Sequence, residues 1–140
     1  MPEPDASGPM SPTSPFTYLI LRVVPSVERG ERLNVGVVVF CRQRGFLGAR
    51  VALDGERLAV LAPGVPAREV GEYLAGLVRV AEGDPEAGPI ASLSQSERFG
   101  WLAAPSSTIV QASEVHTGLS SHAPATLDAL FERLVAVPAG

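Results

Sequence analysis

Seven side chains capable of chemistry fall within nineteen positions of one another: Arg98, Ser106, Ser107, Thr108, Gln111, Glu114 and His116. A guanidinium beside hydroxyls and the free amides of a turn is a combination suited to holding phosphate or carboxylate. The Pro105–Thr108 stretch, PSST, supplies those hydroxyls. The competing reading is structural: Ser106, Ser107 and Thr108 bond their own backbone as a turn, and Arg98 pairs with Glu97 or a nearby carbonyl. Arg22 is the second place to look. It sits in the apolar run FTYLILRVV and faces Glu28 and Asn34 across the following turn. An arginine amid apolar residues must find a partner, either a bound ligand or an internal ion pair.

Catalytic patterns are weaker. His116 is the one candidate proton carrier, but no nucleophile is defined for it. Ser106 and Ser107 lack the G-x-S-x-G elbow, so a hydrolase triad is excluded. Glu114 and His116, two apart, would share one face of a strand, with His122 six residues on. Zinc ordinarily requires three ligands and fixed partners behind them, so no metal site is expected. The glycines of VERGERLNVG form no phosphate loop, and no cofactor is expected. Phe99 and Trp101 are read as core anchors rather than a stacking platform. Gly36 and Gly100 point to close backbone approach. Whether the chain is an enzyme stays open at this level.

The composition narrows the partners. All 11 basic residues are arginine, and the net charge of −4 argues against binding a nucleic-acid backbone. Locally, Arg22 to Arg57 holds seven arginines against Glu28, Glu31, Asp54 and Glu56. That surplus is read as a solvated rim, with anion binding as the alternative. Cys41 is the only cysteine and lies in an apolar run, so it is a small core residue and no disulfide forms within the chain. No apolar run approaches the roughly 20 residues that span a bilayer. The proline-rich stretch 1–15 lacks the charged start and apolar stretch of a secretory signal. A cytoplasmic protein is expected, with a disordered lead-in over 1–15 and one domain over 16–137.

The elements that must position these groups follow from hydrophobic period. Phe16–Val24 reads as a first strand closed by Pro25, and SVERGER as a charged turn. Leu33–Cys41, LNVGVVVFC, is almost continuously apolar and β-branched, as a central strand covered on both faces would be. Phe46–Leu53 returns as a third strand, and such short links permit only antiparallel neighbours. Val70, Tyr73, Leu74, Leu77, Val78 and Ala81 mark a helix opened near Pro66 and ended at Gly83. Ser94 and Glu97 form a capping box for a short helix to about Ala103. A fourth strand spans Thr108–Ala112 and continues toward Thr117. Pro124 opens a last helix with its face at Leu127, Leu130, Phe131, Leu134 and Val135. The fold expected is α+β, a mostly antiparallel sheet of about four strands with two main helices and one short helix on one face.

The words YLILRVVP and NVGVVVF, and above all SERFGWLAAPSSTIVQASEVHTGL followed by LFERLV, resemble an uncharacterised bacterial family, Domain of Unknown Function 3037. The resemblance covers about Phe16 to Val135. It implies a small stand-alone protein without an assigned substrate or catalytic residue, and it associates the chain with a protein partner, a HipA-like kinase. Two readings follow. One is a non-catalytic accessory or interaction module. The other is a small enzyme or ligand-binding domain for an anionic substrate, using Arg22 and Arg98 as clamps and His116 as proton carrier.

Overall fold

Eight of the eleven residues of Glu31–Cys41 are apolar, counting Gly36, and the strand they form is the spine of the molecule. The computed structural model describes residues 12–26, 28–104 and 109–136. Within them the chain runs β1 (Ser14–Ser26), β2 (Glu31–Cys41), β3 (Phe46–Val51), α1 (Gly55–Leu61), α2 (Ala67–Glu82), α3 (Gln95–Ala103), β4 (Val110–Ala112), β5 (His116–Ser120) and α4 (Ala123–Leu134). The sheet is antiparallel at every pairing, in the order β3-β2-β1-β4, with β5 also on β1. This is the α+β architecture that the alternation of periods predicts. Ser14 and Pro15, assigned to the lead-in by composition, are strand residues paired with Ser120 and Leu119.

The expectation that helices cover one face fails. Leu19, Leu21, Val23, Val35 and Val38 pack with Leu58, Leu74, Leu77 and Leu102 of α1, α2 and α3. Phe16, Val37, Val39 and Cys41 pack with Leu127, Leu130 and Phe131 of α4 on the other side. A strand whose Val35, Val37, Val38 and Val39 are all fully buried needs cover on both faces, and α4 provides the second layer. The helix count is also four rather than three. The additional one, α1, is capped by Asp54, whose side chain accepts the amides of Glu56 and Arg57. The capping box is formed as predicted: Glu97 N–H donates to Ser94 Oγ and Ser94 N–H to Glu97 Oε1, each at 3.1 Å.

Two bulges set which residues meet. On β2, Leu21 pairs with Gly36 but the next residue, Arg22, pairs with Asn34, so Val35 is the extra residue. This slip puts Asn34, not Val35, opposite Arg22 on the α4 face. Gly36 is required there, because a Cβ would lie 2.8 Å from Val51 Cγ1 and 3.1 Å from Arg50 O. At Gly100, by contrast, a Cβ would meet open space.

The second bulge divides the fourth strand, which is why there are five strands rather than four. Leu21 pairs with Ala112 and Tyr18 with His116, so Leu19 and Ile20 face three residues, Ser113 to Val115. Ser113 bridges the gap. Its Oγ accepts from Ile20 N–H at 2.9 Å and donates to Glu114 O, while its own N–H donates to Ile20 O. The extra residue turns His116 onto the α4 face, where its ring stacks on Tyr18. Ser113→Ala is expected to cost about 1–2 kcal/mol, because a buried amide loses its acceptor. Faster hydrogen exchange at the Ile20 amide checks this.

Candidate functional site

Arg98, Gln111 and His116, the candidates of this stretch that the structure describes, do not converge. Arg98 is buried on the α3 side of the sheet, where Nη1 donates to Leu93 O at 2.6 Å and Nη2 to Ala81 O at 3.4 Å. Its Nε has no partner. These contacts tie α3 to the C-terminal end of α2, where the helix dipole favours a cation. His116 lies on the opposite face, half exposed, with Nε2 3.9 Å from Glu114 Oε1. No nucleophile hydrogen-bonds to it among the described residues. Ser106, Ser107 and Thr108 lie outside the described residues. Among those described, no three His, Cys, Asp or Glu side chains gather closely enough to hold a metal.

Arg22 and Gln111 do meet. They are cross-strand partners on β1 and β4, and Asn34 flanks Arg22 from β2, so the α4 face carries a row Asn34, Arg22, Gln111. The internal ion pair weighed for Arg22 is replaced by an amide: Nε donates to Asn34 Oδ1 at 3.2 Å. Asn34 is itself fixed, since Nδ2 donates to Leu134 O at the end of α4 at 3.1 Å. The Nε edge of the guanidinium is thereby oriented. His116 is remote from this row. It pairs with Tyr18, four residues from Arg22 on β1, or roughly 13 Å at about 3.3 Å per residue.

Two further arginines complete the site. A cavity of ≈320 Å3 is lined by Arg22, Arg32, Leu33, Asn34, Arg57, Leu134 and Val135. Three of these residues are arginines, and none of the described lining residues is acidic. A smaller hollow of ≈190 Å3 on the other side of Arg22 adds Gln111 and Gly30. Arg32 follows from strand alternation, being two residues from Asn34 on β2. Arg57 arrives from α1, which lies beyond the end of β3, where β2 is no longer covered by its neighbour. Among the described residues neither Arg32 nor Arg57 is within salt-bridge distance of an acid, and Glu31, at the rim, is held by Arg29 at 2.9 Å. Arg32, Arg57 and Asn34 are not singled out as ligands by the sequence. The signal present there is the surplus of arginine between Arg22 and Arg57, read as a solvated rim.

Fold and site together define an α+β architecture with a cavity lined by arginines at the end of its sheet. A family model described as a protein of unknown function, DUF3037, matches residues 18–135, and the chain belongs to that family. No curated protein and no solved structure matches it significantly. No helix among the described residues is long and apolar enough to cross a membrane.

Proposed function

We propose that this chain is a non-catalytic binding module for a small anion of the phosphate class, seated against Arg22, Arg32 and Arg57. The observation that carries the reading is that three arginines line one cavity with no acidic residue among the described lining residues. Like charges gathered in one cavity repel one another, and an anion relieves that repulsion. The planar fork of arginine matches the oxygens of a phosphate, and Asn34 fixes the fork of Arg22 before any ligand arrives. Gln111 adds an amide donor on the far side of Arg22.

The test is thermal unfolding in inorganic phosphate against sodium chloride of equal ionic strength. Phosphate is expected to raise the Tm, and Arg22→Gln to weaken the phosphate affinity about tenfold, roughly 1.4 kcal/mol. An equal rise in chloride, or none in phosphate, rejects the reading.

A second reading has its own support. A groove of ≈360 Å3, lined by Pro15, Phe16, Thr17, Phe40, Arg42, Phe99 and Thr117, adjoins β5, whose Leu119 is 70% exposed. An apolar groove beside a sheet edge is a surface that a protein partner covers. The resemblance to the family makes a HipA-like kinase the partner to try. Mixing the purified proteins and measuring association in the presence of Phe99→Ala decides it: binding that the variant leaves unchanged rejects this groove.

A further inference from the structure

Arg32, Leu33 and Arg57 line two cavities at once. Besides the arginine-lined one, they border a larger cavity of ≈510 Å3 whose remaining walls are Glu31, Asp54, Glu56, Val60 and Leu61. The two spaces adjoin at the edge of β2 and differ in chemistry. The first offers cations. The second offers the apolar residues Leu33, Val60 and Leu61 together with the acids Glu31, Asp54 and Glu56. Val60 is 86% exposed on the seven-residue helix α1, the most exposed large apolar residue of the described chain. A valine so placed contributes nothing to the core, and its position on the wall of a cavity is accounted for if something apolar lies against it.

We infer that the ligand is a phosphomonoester of a small organic molecule, its phosphate against Arg22, Arg32 and Arg57 and its apolar body against Val60, Leu61 and Leu33. The inference rests on the anion-binding reading above and adds the ligand's second half. The carboxylates of Glu31, Asp54 and Glu56 repel further phosphate groups and accept hydrogen bonds from hydroxyl or amino groups, so a single phosphate at one end fits better than a polyphosphate. The two spaces together form an open depression large enough for a small ligand to lie against.

Three probes read by calorimetry test it: inorganic phosphate, phenyl phosphate and phenol, each with the wild-type chain and with Val60→Asn. Val60 is exposed, so the variant folds. Phenyl phosphate is expected to bind about tenfold more tightly than inorganic phosphate, from the apolar surface it buries. Phenol alone is expected not to bind. Val60→Asn is expected to remove most of the phenyl phosphate advantage and to leave the inorganic phosphate affinity within twofold. Equal affinity for phosphate and phenyl phosphate overturns the two-part ligand while the anion site stands. An advantage that survives Val60→Asn unchanged also overturns it, because the ring then lies elsewhere. Failure of both phosphates to bind removes the anion site itself.

Discussion

Arg98→Ala is expected to destabilise the fold by about 3 kcal/mol while leaving phosphate affinity within twofold of wild type. The side chain is only 9% exposed, and it donates to two carbonyls, Leu93 O and Ala81 O. Truncation leaves both acceptors facing a void, and a charge-assisted hydrogen bond contributes about 1.5–3 kcal/mol. The site also allows little collapse. Gly83 ends α2 at a φ of +74°, and a Cβ placed there would lie 3.4 Å from Arg98 Nη2, so the guanidinium fills the space over the helix end. Lysine does not substitute, because one ammonium cannot span two carbonyls as the fork does. A urea titration checks the prediction through a lower midpoint at unchanged slope, with a fall in Tm of about 10 °C. Normal stability for Arg98→Ala would mean that the guanidinium is not a structural tie.

The same residue marks how far the sequence is legible. Arg98, Gln111 and His116 are near neighbours in the chain, but a helix end, a bulge and a change of face separate them. Arg98 points toward α2, Gln111 and His116 lie on the α4 face, and Ser113 determines the latter. Without the extra residue at the bulge, His116 and Gln111, five apart, would face opposite ways. Periodicity reports which residues are apolar together, and so α2, α3, α4 and the first three strands are readable. It does not report which side of a sheet a helix takes. The run Val35–Val39 held that information indirectly, since apolar residues on both faces of one strand are incompatible with helices on one side alone. Helix α1 escaped because only Leu58 of its seven residues is buried, which leaves no periodic stripe to recognise. The cationic cavity escaped for a different reason: Arg22, Arg32 and Arg57 are brought together by the β1–β2 turn and by the reach of α1, neither of which has a local signature.

The double variant Arg32→Gln with Arg57→Gln is expected to lower phosphate affinity about a hundredfold, roughly 2.7 kcal/mol, with the midpoint of unfolding shifted by less than about 0.5 kcal/mol. Both side chains are exposed and carry no hydrogen bond to any described residue, so the free protein loses no contact when they change. Each exposed guanidinium contributes less than a buried one because solvent screens it, and about tenfold apiece is the scale for a partly solvated ion pair with phosphate. Arg22 remains, held by Asn34, so residual binding should persist and depend less steeply on salt than that of the wild type. Calorimetry across a salt series measures both quantities. The result discriminates between two meanings of one composition: arginines on a solvated rim share no ligand, and removing two of them would change phosphate affinity only through net charge, by a factor of two or three. A hundredfold loss at constant stability requires that they act on the same anion.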